Sequence, residues 1–177
     1  MKDNDVKSSG KGVRPNRSVD TFAAQCENCK KWRVIPSQEE YEEIRSKIPE
    51  SPFVCEKKSG ASCDDPADIE YNASRTWVID KPGIPKTPGG FKRILVLRKD
   101  FSKMDAYYLT PTGKKLRSVN EISTFIAQHN DFKDIKLSDF NFTSPKVMED
   151  TIPEYAAVRT PGGGNSSNVK KIKLTKN

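Results

Sequence analysis

The chain has 177 residues, 34% of them hydrophobic and 31% charged, with a net charge of +7. That is too little apolar material for one large core, so composition points to small modules with disordered flanks. No run approaches the roughly 18 apolar residues of a membrane span. Met1-Lys2-Asp3-Asn4-Asp5 carries no apolar signal core, so an intracellular chain with reduced thiols is expected.

Residues 1–20 are polar and are expected to be disordered. Residues 21–75 hold all four cysteines: Cys26, Cys29, Cys55 and Cys63. Cys26-Glu27-Asn28-Cys29 is a Cys-x-x-Cys turn that lets two sulfurs converge. Four thiolates suit one tetrahedral Zn²⁺, and a site filled by four protein ligands is closed and therefore structural. The second pair, Cys55 and Cys63, is spaced more loosely; four unrelated thiols are the alternative. Within this stretch Ser37-Gln38-Glu39-Glu40 reads as a capping box. Tyr41, Ile44 and Ile48 follow on one helical face, and Pro49 and Pro52 end the helix.

Residues 76–88 read as an extended linker, because the run 78–90 holds three prolines and three glycines. It is expected to keep two modules close without fusing them. A second module occupies residues 89–145. Phe91 to Arg98 and Met104 to Leu109 are strand-like. Thr110-Pro111-Thr112-Gly113 is a turn, and Lys114 to Arg117 is a short third strand. Ser118-Val119-Asn120-Glu121 is a second capping box, opening a helix whose Ile122, Phe125 and Ile126 share a face. Phe140 and Phe142 supply aromatics to close the core. Strands followed by one covering helix give an α+β fold, beside the small zinc-stabilised module. Residues 146–177 read as a flexible basic tail.

Charge is unevenly spread. Residues 21–75 carry a net −3, residues 89–142 a net +4, and residues 156–177 five basic groups and no acid. A basic second half suits a polyanion such as nucleic acid; a merely soluble surface is the bland alternative. His129 is the only histidine, no metal position is left open, and no acid is paired with a base in a cleft. A binding protein is expected rather than an enzyme.

Two resemblances sharpen this. Gln25-Cys26-Glu27-Asn28-Cys29-Lys30-Lys31-Trp32-Arg33, Pro52-Phe53-Val54-Cys55 and Ser62-Cys63-Asp64-Asp65-Pro66 resemble the CW-type zinc finger. That family implies one structural Zn²⁺ and reading of methylated lysine on a histone tail by an aromatic cage, through cation–π attraction. Trp32 matches one wall of that cage. The family's other wall is a tryptophan three residues before the first cysteine. Ala23 stands there, with Phe22 next to it as the candidate second wall.

Residues 89–142 resemble the methyl-CpG-binding domain. The residues that carry the match are Gly90-Phe91-Lys92-Arg93, Arg98-Lys99, Asp105-Ala106-Tyr107-Tyr108, the run Thr110 to Ile122, and Asp139-Phe140-Asn141-Phe142-Thr143. The order of the two modules resembles a plant subgroup of that family. The resemblance implies that Arg98 and Arg117 reach guanine in the major groove. It places Asp105 as the carboxylate orienting the first arginine and Tyr107 near the methyl group of 5-methylcytosine. Lys99, Lys103, Lys114 and Lys115 would contact phosphates, and Ser118 would cap a helix whose amino end receives one. The loop from Lys99 to Met104 is about three residues shorter than in well-known methyl-DNA binders, which removes phosphate contacts. Taken singly, each residue also has an ordinary reading: Tyr107 as a strand aromatic, Arg98–Asp105 as a surface ion pair.

The expectation is therefore a nuclear, chromatin-associated transcription regulator. It binds double-stranded DNA methylated at CpG, and its zinc finger contacts a histone tail, methyllysine, or chromatin regulatory proteins. The rival is a chromatin interaction scaffold without methyl-CpG selectivity.

Overall fold

The computed structural model describes residues 17–72 and 80–157. The first module is built on a short antiparallel ribbon, β1 (Ala23–Gln25) and β2 (Trp32–Val34), with Ala24 opposite Arg33. Alternation gives the ribbon two faces. Ala23, Trp32 and Val34 pack with Ile69 and Tyr71 on one. Phe22 and Ala24 pack with Ile35, Tyr41, Ile44 and Phe53 on the other. Helix α1 (Gln38–Lys47) starts where the capping box placed it, with the Ser37 hydroxyl accepting from Glu40 N at 3.2 Å.

The second module is a three-stranded antiparallel sheet, β3 (Lys92–Leu97), β4 (Met104–Leu109) and β5 (Lys115–Leu116), in that spatial order. Helix α2 (Val119–Gln128) covers its inner face, capped by Ser118. Tyr108, Leu116, Ile122 and Phe125 are fully buried there, and Phe91 meets Phe125, Phe132 and Phe140 edge-on at 5.2–5.8 Å. Edge-to-face contacts of this kind add to plain burial. The α+β expectation and the two modules stand.

Three segments differ from expectation. Residues 17–20, expected to be disordered, run along β3: Ser18 bridges Val96, and Val19 N donates to Leu95 O at 3.0 Å. An open sheet edge accepts any backbone, whatever its side chains. Residues 146–157, expected to be flexible tail, also fold. Val147 and Val19 cover Leu95, Leu97 and Met104, and a four-residue helix α3 (Glu154–Ala157) follows. Residues 80–88, expected to be an extended linker, bury Ile84 and wedge Asp80 between the modules. Residues 1–16 and 158–177, with Lys170, Lys171 and Lys173, lie outside the described residues. Among the described residues no helix is long and apolar enough to cross a membrane.

Candidate metal centre and nucleic-acid interface

The turn after β1 delivers Cys26 and Cys29, with Lys30 in the left-handed region (φ 59°) to reverse the chain. A 3-10 turn, Cys55–Lys57, delivers Cys55, and the following loop delivers Cys63. All four sulfurs lie within 4.8 Å of one another. Cys26 and Cys63 are 3.8 Å apart, and Cys29 and Cys55 are 3.6 Å apart. A tetrahedron of Zn–S bonds of about 2.3 Å has edges of roughly 3.8 Å, so the spacing fits Zn²⁺. The electrostatics agree. Burial and neighbouring sulfurs push the Cys63 thiol up to about 12. Burial also opposes ionisation of Cys26, but backbone hydrogen bonds from Cys29, Cys55 and Asn28 outweigh it and bring it down to about 6. Four thiolates this close need a cation to coexist.

Arg33, to which the sequence alone assigns no role, organises the site. It is buried on the ribbon face it shares with Ala24, and its Nε donates to Cys55 Sγ at 3.2 Å. Its Nη atoms donate to the Ser62 and Asp65 carbonyls at 2.8 and 3.1 Å and pair with Asp68 at 3.1 Å. The hydrogen bond to Cys55, against the cost of burial, raises its pKa further. Lys31 Nζ adds bonds to the Cys63 and Asp65 carbonyls, both 2.8 Å. Nothing in the sequence marks this position as inward, because β2 is only three residues long.

The aromatic candidates separate. Trp32 is half-buried on one face of the ribbon, whereas Phe22 turns to the other and tilts against Tyr41 at 5.5 Å. Trp32 and Phe22 therefore do not form one cage. The ring beside Trp32 is Tyr71, stacked at 6.1 Å. Parity along β1 decides this, and three residues are too short to show parity by composition.

On the second module, alternation sends Met104, Ala106 and Tyr108 inward and Asp105 and Tyr107 outward. Arg98 follows β3 and Arg117 follows β5. Arg98 Nε and Nη2 both reach the Asp105 carboxylate, at 2.9–3.2 Å, the bidentate fork that fixes a guanidinium plane. Those hydrogen bonds, and then the charge of Arg98, hold the Asp105 carboxyl below its ordinary range. With the folded value depressed, the pair is intact at neutral pH and is lost only as pH falls through that value. Lys115 Nζ stands 4.0 Å from the Tyr107 ring centroid. Asp105, Tyr107, Arg117 and Lys103 line an open groove of about 370 Å³.

Lys99, Lys103, Lys114 and Ser118 are all exposed, and Ser118 Oγ accepts from Glu121 N at 3.2 Å. The short loop is tightly closed. Arg98 N donates to Lys103 O at 2.9 Å, Phe101 takes a left-handed φ of 59°, and Asp100 is engaged by Ser102. Phe101 folds back against the Leu95–Leu97–Met104 cluster.

Residues 22–69 match the CW-type zinc finger family model, and residues 77–150 match the methyl-CpG binding domain family model. With that match and the sulfur geometry, the finger carries one structural zinc. The chain is 66% identical to methyl-CpG-binding domain-containing protein 4 of Arabidopsis thaliana, over 85% of this chain and 81% of that protein. It is 60% identical to methyl-CpG-binding domain-containing protein 1 of the same plant, over 88% of this chain and 77% of that protein. It is 36% identical to human methyl-CpG-binding domain protein 2, over 36% of this chain and 15% of that protein. No solved structure matches.

Proposed function

The chain belongs to the methyl-CpG-binding domain proteins, and from that membership we propose that it is a chromatin-associated binder of CpG-methylated DNA. The observation that carries the reading is the outward face of the sheet, where the Arg98–Asp105 fork, Tyr107 and Arg117 stand together. A guanidinium plane oriented in this way matches the O6 and N7 acceptors of guanine. Arg98 and Arg117 supply two such donors, one for each guanine of a CpG pair. Their flanks and Tyr107 are the apolar surface for the 5-methyl groups. Lys99, Lys103, Lys114 and Lys115 take phosphates, and the amino end of α2 takes another.

The finger (residues 21–75) contacts a histone tail or a chromatin protein, with Trp32 and Tyr71 as the aromatic surface. Its zinc ties the four sulfurs together and leaves no open position. The DNA reader spans residues 89–145. A nuclear protein that regulates transcription through recruited partners follows from these roles.

The test is a titration with matched duplexes, unmethylated and CpG-methylated, at physiological salt. The methylated duplex binds more tightly, and Arg117→Ala removes the difference. Equal affinity of the natural chain for both duplexes sinks the methyl-selective reading and leaves the scaffold.

A further inference from the structure

The joint between the modules is built like a core, not like a tether. Asp80 Oδ2 accepts from Arg45 Nη1 of α1 at 3.0 Å and from Arg93 Nη1 of β3 at 2.8 Å. All three side chains are at most 5% exposed. One carboxylate oxygen thus holds an arginine from each module. Most of the remaining guanidinium donors are used as well, Arg45 Nε being the one buried side-chain nitrogen without a partner among the described residues. Arg45 Nη2 reaches Pro85 O at 3.2 Å, and Arg93 reaches the Asn141 and Thr143 carbonyls at 3.2 and 2.7 Å.

Around this cluster one further bond crosses from finger to sheet, and two more tie α1 to the connecting segment 80–88. Gln38 Nε2 donates to Arg93 O at 2.6 Å. Glu42, itself buried, accepts from Thr87 N at 2.8 Å, and Gly83 N donates to Arg45 O at 2.9 Å. The Asp80 and Glu42 carboxyl groups and the two guanidinium groups line the same small cavity, so opposite charges are buried side by side. Interfaces between mobile domains are ordinarily polar and hydrated, and relative motion is their default. A buried cluster of opposite charges is different: breaking it strands a charge out of water.

We infer that the finger and the DNA-facing sheet form one rigid body, bolted at Asp80, so that the finger supports the strand carrying Arg98. The functional half of this inference rests on the DNA reading above. A flexible pair would engage DNA and a protein tail at any separation its linker spans. A rigid pair accepts both ligands at one relative geometry only, and so selects how chromatin presents them.

Residual dipolar couplings of the full, zinc-loaded chain test the joint without any DNA. Failure here and failure of the DNA reading are therefore separate results. Couplings from residues 22–69 and 91–142 fit a single alignment tensor; a need for two tensors overturns the inference. Asp80→Ala splits the fit into two tensors while both modules keep their own signals, and a single tensor persisting there overturns the role of Asp80. Asp80→Asn keeps one acceptor oxygen and lacks the charge, and serves if the alanine variant does not fold. Wild-type orientation of the modules in Asp80→Asn likewise overturns the ionic joint.

Discussion

A single side chain decides how well the zinc site is held. Arg33 donates to the sulfur of Cys55 and to carbonyls of the Ser62–Pro66 loop that carries Cys63. A lysine has the charge but not the planar fork, so its single nitrogen cannot span the Cys55 sulfur and the loop carbonyls as the guanidinium does. Partners behind metal ligands of this kind are worth about 10–100-fold in metal affinity. Arg33→Lys is therefore expected to lose zinc to a competing chelator at least tenfold more readily, roughly the lower end of that range. An unchanged chelator midpoint would show that the loop is held without Arg33. The four ligands themselves were legible from the Cys-x-x-Cys turn and the clustering. Arg33 was not, because it stands beside Trp32 in a basic run that reads as surface.

At the level of elements, legibility followed local chemistry. Helix α2 was readable because Ser118 and Glu121 supply a local cap and Ile122 and Phe125 a helical stripe. The strands of the second module were readable from their β-branched and aromatic residues. Helix α1 was readable only on its apolar side. Gln38, Glu42 and Arg45 lie at the same helical spacing but are polar, and nothing local says that such a row is buried. The edge residues 17–20 were missed for a related reason: backbone hydrogen bonds leave no mark in composition. Turn geometry offers a sharper test. Gly90 has φ +85°, and a Cβ there would stand 2.9 Å from Pro111 Cγ in the β4–β5 turn. The left-handed backbone costs an L-residue about 1–2 kcal/mol, and forcing a methyl against a proline ring adds roughly 1–2 more. Gly90→Ala should destabilise the protein by about 2–4 kcal/mol, seen as a lower urea midpoint with an unchanged slope. A loss below about 0.5 kcal/mol would mean that the turn shifts aside and that residue 90 leaves the left-handed region freely.

Across the whole molecule, the two modules differ in sign: the finger is acidic and the sheet module basic. Phosphate contacts should therefore come from one side, and they are few. The loop after β3 is closed on itself, with Phe101 turned into the protein and Asp100 held by Ser102, so it offers only Lys99 and Lys103. Lys114 and Lys115 add two more. Each neutralised phosphate contributes about −0.9 to the slope of log K against log salt, so four contacts give a slope of roughly −3.6. Lys114→Ala is expected to make the slope shallower by about one while leaving the preference for methylated DNA intact, because a phosphate contact positions without specifying. Lys115 should differ, since its ammonium also rests on the Tyr107 ring and its loss disturbs a base-facing group. Duplex titrations at several salt concentrations separate the two lysines. A wild-type slope steeper than about −5 would require further cations on the phosphates, and Lys92, Lys133 and Lys136 are exposed on the same module. A slope near −2 would mean that the closed loop makes no contact at all, leaving Lys114 and Lys115 as the phosphate contacts beside the Arg98–Asp105 face.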